Sequence, residues 1–312
     1  MHALRLSDGM SLPVLGMGTF GITEENMPRA IAAAVAAGIR LFDTAPNYGV
    51  EGALGRALAQ TGLGREEIII VDKVDTRDQL KPIRSALEEC LARLGTDYVD
   101  LYLIHWPFPG RYVATWRQME RLCREGLVKS IGVCNFMPHH LAHLMRTSTT
   151  VPVVNQIELH PLFTQRSTVE YCRKNDIAVM VYSPFGRMNP ALMSNPLLDS
   201  LARKHGKTVP QIIVRWNIQS GFSVIPKSES PARIRENGNV FDFCLSDADM
   251  TAITALDCGM RFRFDPEDLS RYPLSRPYRF WLEARRWVRT RLLKNVFSQR
   301  EDPAFRTSRG ES

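Results

Sequence analysis

Short apolar runs alternate with longer amphipathic stretches along most of this chain. Leu41-Phe42, Ile68 to Val71, Val99 to Ile104, Val128 to Val133, Val151 to Ile157, Ile177 to Val181 and Phe222 to Ile225 are brief and bounded by Gly, Pro, Asn or charged residues. Runs of this kind read as buried strands. Leu15 to Thr19 adds another, making eight from Leu15 to Ile225. Between them lie stretches of helical composition: Met27–Ala37, Glu51–Gln60, Pro82–Leu94, Ala114–Arg124, His139–Met145, Ser167–Lys174, Leu197–Lys204, Pro210–Gln219 and Pro231–Asn237. Gly38, Gly95 and Gly126 follow three of these where a helix would end. Strand and helix in alternation predict a parallel sheet, and eight strands favour a closed (β/α)8 barrel over an open one. Ahead of the barrel, Leu4-Arg5-Leu6 and Leu12-Pro13-Val14 flank Asp8-Gly9, a hairpin signal. The rhythm breaks after Asp257. The expected division is a barrel over 1–259 and a loop with a tail over 260–312, with no linker or internal repeat within the barrel.

Three consecutive strands end on polar groups. Leu41-Phe42 runs into Asp43, Ile68 to Val71 into Asp72-Lys73, and Val99 to Ile104 into His105-Trp106-Pro107. Tyr48 lies on the loop past Asp43. In a parallel barrel these ends share one rim, the rim where chemistry is done. A tyrosine, with an ordinary pKa near ~10, is a poor acid at neutral pH. A nearby ammonium lowers that value, and a carboxylate holds the ammonium in place. Asp43, Lys73 and Tyr48 could form such a relay, with His105 orienting the same oxygen. The product is a site that protonates a carbonyl oxygen while a hydride attacks its carbon. Each residue alone has a plainer reading: an Asp capping a helix, a surface Lys, a core Tyr, a His before Pro. Four complementary groups on consecutive strand ends are harder to dismiss.

Composition narrows the class. The 312 residues and 44% hydrophobic content suit one large barrel. No apolar run nears the roughly 20 residues of a membrane span, and the N-terminal residues lack the apolar core of a signal peptide. Cys90, Cys123, Cys134, Cys172, Cys244 and Cys258 form no CxxC pair, so they read as reduced thiols of a cytoplasmic protein. The net charge is +7, but residues 260–312 hold 13 Lys and Arg against 7 Asp and Glu. The basic balance belongs to the tail and gives the barrel no nucleic-acid partner.

The motifs resemble those of the aldo-keto reductases. The matching pieces are Gly16-Met17-Gly18-Thr19, Leu41 to Ala45 with Tyr48-Gly49, Leu103 to Pro107, Ile131 to Phe136, Asn155 to Pro161, Tyr182-Ser183-Pro184 and Ile225 to Ser228. They run in family order from about residue 4 to residue 257, and the likeness is to the bacterial 2,5-diketo-D-gluconate reductase type. The resemblance implies a TIM barrel, NADPH/NADP+ bound in extended form, and Tyr48 as proton donor, tuned by Asp43 and Lys73. It also implies that His105 positions a small-molecule carbonyl substrate, against an apolar wall of Phe20 and Trp106. For the cofactor it implies Asn135 and Gln156 at the nicotinamide carboxamide and Tyr182 stacked on its ring. Ser183 and Phe185 would lie by the pyrophosphate, Lys227, Ser228 and Arg233 at the 2′-phosphate, and Glu236 and Asn237 at the adenine. Gly18, Thr19, Asp43 and Cys134 complete that set. Cys134 departs from the family, since many members have Ser there, and a thiol is a weak donor. Asp72 stands where a hydroxyl residue is common, and its strand position should turn it away from Lys73.

Other readings compete. Gly16-Met17-Gly18-Thr19-Phe20-Gly21 satisfies G-x-G-x-x-G, with Asp43 downstream as a Rossmann ribose ligand would be. That reading leaves Tyr48, Lys73, His105 and the Lys227 cluster unexplained. His139, His140 and His143 could hint at a metal, but no carboxylate or Cys stands beside them in the sequence, and a polar helix face is the commoner cause. A member that binds NADPH only as a redox-sensing or assembly module is the rival from another class. The tail invites the third. Arg261, Phe262, Arg263 and Phe264 are expected to border the substrate mouth. Tyr278 to Phe297 reads as a basic helix, with Trp281, Ala284, Val288, Leu292 and Val296 on one side. That stripe could pack on the barrel, on a partner subunit or on an anionic membrane surface.

Overall fold

The structure, a computed structural model, describes residues 2–274 and Pro277. Strands β1 (Ala3–Arg5) and β2 (Ser11–Pro13) pair antiparallel, Ala3 opposite Pro13. Gly9 takes φ 92° in the turn, where a side chain would be strained. The parallel strands follow: β3 (Met17–Gly18), β4 (Leu41–Asp43), β5 (Ile69–Val74), β6 (Val99–Ile104), β7 (Val128–Cys134), β8 (Val154–Glu158), β9 (Ala178–Tyr182) and β10 (Ser223–Val224). Each pairs with its neighbour in chain order. Leu15 bridges Val224 in parallel, and Gly16 N–H donates to the Val224 carbonyl at 2.9 Å, so the last strand returns to the first. This is the expected TIM (β/α)8 barrel with its N-terminal hairpin.

Two apolar layers result from the alternation of side chains along each strand. On β5 and β6, Val71, Leu101 and Leu103 turn inward, joining Leu41, Val154, Met180 and Ile225. Leu6 and Leu12 of the hairpin belong to this inner cluster. Ile70, Val74, Tyr102 and Ile104 turn outward beneath the helices. The helix at Ile83–Leu94 buries Ile83, Leu87, Leu91 and Leu94, one face at helical spacing, and Gly95 closes it in the left-handed conformation. Asp247–Thr254 is a helix absent from the sequence reading. It buries little, and its signal is local: Ser246 caps Asp249 N–H, and the Asp249 side chain accepts Ser246 N–H in return.

The chain separates into two units, Met1–Pro266 and Glu267–Ser312. In the second, Leu269–Arg271 forms one 3-10 turn capped by Asp268. The helix expected over Tyr278 to Phe297 lies outside the described residues.

Gly16 and Gly18 of the G-x-G-x-x-G stretch have a packing role. A Cβ at Gly16 would stand 2.1 Å from Leu41 Cδ2 and 3.0 Å from the Leu41 carbonyl oxygen, and one at Gly18 3.3 Å from the Ile225 carbonyl oxygen. They let β3 approach its neighbours where the barrel closes. Gly16→Ala should therefore lower stability by about 1–3 kcal/mol through overpacking. Denaturant midpoints measure this, and an unchanged midpoint would show that the seam accommodates a methyl group.

Candidate active site

Inward-facing positions at the carboxyl ends of the strands form the site. Lys73 is buried, and its Nζ lies 2.7 Å from both carboxylate oxygens of Asp43 and 2.7 Å from the Thr44 carbonyl oxygen. Gln156 Nε2 donates to Asp43 Oδ2 at 2.7 Å. Thr19 braces the same strand, its hydroxyl and its N–H both donating to the Asp43 carbonyl. Burial opposes the charge on Lys73, but Asp43, with smaller help from Tyr48 and Cys134, outweighs it and holds the ammonium's pKa above its usual value.

Tyr48 sits above this pair, half-buried, with Lys73 Nζ 5.0 Å from its ring centroid. His105 meets the ring edge-on at 5.9 Å and Phe20 at 5.0 Å. The relay expected from the sequence lowers the phenol's pKa. Here burial pushes it up to about 12, and Lys73 pulls it only part of the way back. Desolvation disfavours the phenolate more than one already paired ammonium favours it. Tyr48 thus keeps its proton at neutral pH. His105 is buried and its pKa is lowered, chiefly by burial, so the ring is neutral. Its Nδ1 lies 3.7 Å from Asp75 Oδ1.

The other rim residues gather around this centre. Asn135 has φ 62°; its Nδ2 donates to the His105 carbonyl at 3.1 Å, and its Oδ1 accepts the Tyr182 hydroxyl at 2.7 Å. Cys134 is fully buried, and burial keeps its thiol neutral beside Lys73 and Asp43. Asp72 turns to the opposite face of β5, toward Glu51 and Cys90, where burial and Glu51 raise its pKa well above the carboxylate range. Ser183 and buried Phe185 follow β9, with Ser183 at φ 50°. Lys227 is exposed, its Nζ 3.3 Å from Glu229 Oε1. Ser228 accepts Ser230 N–H just before the helix at Pro231–Gly238, which carries exposed Arg233, Glu236 bonded to Thr208, and buried Asn237.

Residues 14–257 match the profile of the Aldo/keto reductase family. The chain belongs to that family. It is therefore an oxidoreductase acting on carbonyls, and the family uses nicotinamide cofactors. An aldo-keto reductase of Mycobacterium sp. (strain KMS) is 45% identical over 265 residues, covering 84% of this chain and 95% of that protein. The methylglyoxal reductase DkgA of Yersinia pestis is 43% identical over 266 residues, covering 85% and 96%. A crystal structure of an aldo/keto reductase from Brucella melitensis superposes with a TM-score of 0.76 at 44% identity, covering 82% of this chain and 99% of that one.

The mouth of this aldo-keto reductase is aromatic. Trp106 stacks beside His105 at 6.2 Å, and Phe264 meets Trp106 edge-on at 6.5 Å. Phe108 is buried. Arg263 rests on Phe20, its Cζ 5.2 Å from the ring centroid. The sequence reading missed Asp75 and gave Glu158 no role. Glu158 lies in the quoted Asn155 to Pro161 motif, but nothing in that stretch shows that its partners come about a hundred residues later.

The buried pair generates a stability test. Lys73→Met leaves Asp43 charged and buried, and should cost about 3–5 kcal/mol. Adding Asp43→Asn removes the stranded charge and should recover part of it. A urea-unfolding double-mutant cycle measures the coupling, and additive losses would mean that the two groups do not depend on each other.

Proposed function

We propose that this chain reduces an aldehyde or ketone to an alcohol with NADPH, with Tyr48 as general acid. The observation that carries the proposal is the buried Asp43–Lys73 pair beneath a protonated Tyr48, with neutral His105 against the same ring. The donor set fits the cofactor. Tyr182 offers a half-buried ring, and Asn135 and Gln156 offer amides. Lys227, Ser228 and Arg233 place two cations and a hydroxyl at a helix start, which suits a phosphate dianion. Lys227 would exchange its bond to Glu229 for the phosphate.

When bound, NADPH supplies the hydride that the carbonyl carbon accepts. The Tyr48 phenol donates its proton to the carbonyl oxygen as negative charge develops there. A pKa near 12 keeps that proton in place until the oxygen becomes the stronger base. Lys73 then stabilises the phenolate left behind, and Asp43 keeps Lys73 charged and in position. Neutral His105 orients the carbonyl oxygen without competing for the proton. Similarity to relatives named methylglyoxal reductase supports a short dicarbonyl as a substrate of this chain. Buried free thiols at Cys90, Cys134 and Cys172 suit a reducing compartment such as the cytoplasm.

Tyr48→Phe should lower carbonyl reduction by about 10² to 10⁴ while NADPH binding stays nearly intact. Turnover by NADPH oxidation and cofactor titration by fluorescence check both halves, and full turnover in the variant would refute the role of the phenol. Arg233→Ala should weaken NADPH far more than NADH, since charge-assisted bonds are worth roughly 1.5–3 kcal/mol. Equal weakening of the two cofactors would move the phosphate site elsewhere.

A further inference from the structure

We propose that Glu158 is a positioning residue that decides which carbonyl substrates the site accepts, acting through the loop that follows the last barrel helix. The inference rests on the reductase reading above. Glu158 ends β8 and is fully buried. Its Oε1 accepts Phe262 N–H at 2.7 Å, and Arg263 N–H reaches Oε1 at 3.1 Å and Oε2 at 3.0 Å. His160 Nε2 lies 3.3 Å from Oε1. Two consecutive backbone amides thus converge on one buried carboxylate. Hydrogen bonds to a fully buried carboxylate are strong, so the main chain at 262–263 is held in place.

The side chains on either side transmit that position. Phe262 turns inward: its ring lies 4.9 Å from His160 and would come 2.5 Å from a Cβ at Gly186. Gly186, Arg187 and Met188 take φ of 49°, 58° and 60°, a left-handed turn against which the ring is seated. Arg263 and Phe264 turn toward the mouth. The Arg263 guanidinium lies between Phe20 at 5.2 Å and Phe264 at 5.6 Å, Phe264 meets Trp106, and Phe20 meets Tyr48. A series of fixed contacts therefore runs from the buried carboxylate to the ring of the proposed proton donor.

Substrates should feel this wall according to their reach. A planar aromatic substituent extending from the carbonyl meets ring edges and a guanidinium face, both favourable partners. A short dicarbonyl is held mainly by Tyr48, His105 and the cofactor. Aryl aldehydes should then depend on Glu158, and methylglyoxal should not.

Glu158→Gln is the sharp probe, because it keeps the size but removes the charge and turns one acceptor into a donor facing Arg263 N–H. For this variant, kcat/KM toward 4-nitrobenzaldehyde should fall roughly 10-fold, mostly through KM, as expected for a lost apolar contact surface. The value for methylglyoxal should change by less than about threefold, within what one weak contact contributes. Phe262→Ala leaves the carboxylate in place and should shift the same ratio. The double variant should be no worse than the worse single, because both act through one loop. Equal losses for the two aldehydes, or an unchanged ratio in both single variants, would overturn the proposal. If Glu158→Gln does not fold, Phe262→Ala decides alone. A wild-type protein that oxidises NADPH with neither aldehyde would instead refute the reductase reading itself.

Discussion

The site depends on an ammonium that is denied water. Lys73 sits inside the barrel with no exposed surface, and transfer of such a charge from water costs several kcal/mol. Asp43 repays part of this through two bonds, and the Thr44 carbonyl takes a third. Asp43 is itself held by Gln156, while Thr19 braces its main chain. Tyr48 lies in the field of that cation, and neutral His105 adds no competing charge.

The barrel makes this arrangement affordable through register. Residue 73 pairs with 103 and residue 43 with 71, which sets the inward positions of adjacent strands at matching heights. A shift of one residue would exchange Lys73 for Asp72 and place a carboxylate opposite Asp43. Instead Asp72 faces outward with Glu51, whose charge Arg93 holds at 2.6 Å. The two buried acids thus sit on opposite faces of one strand wall, each with its own surroundings.

Much of this was legible in the residues. Strand ends betray themselves when an apolar run stops at a polar group, as at Asp43, Asp72-Lys73 and His105. Helix boundaries shifted by at most two residues, since helix ends fray and caps decide them, and strand ends by up to three. What stayed hidden was three-dimensional by nature. The direction of the Tyr48 shift depends on how much solvent its neighbours exclude, which no local pattern encodes. The partners of Glu158 are backbone amides at Phe262 and Arg263, and an amide carries no sequence signature. The left-handed turn at Gly186 to Met188 is equally silent, because Arg and Met seldom adopt it and only tertiary packing enforces it.

The closing seam has a thermodynamic consequence. The two strands that meet there, β3 and β10, are two residues each, and the ladder across them is short. Such a join is where a barrel should breathe first, exchanging its amide hydrogens ahead of the long β5 to β7 strands. Gly18 and Thr19 stand on one side of it, Lys227 and Ser228 just past the other. A dinucleotide spanning those residues would act as a staple across the weakest join in the wall. Binding energy would then be spent on closing the fold as well as on holding the ligand. Loss of such a ligand would then be felt as a looser seam, not only as an empty site.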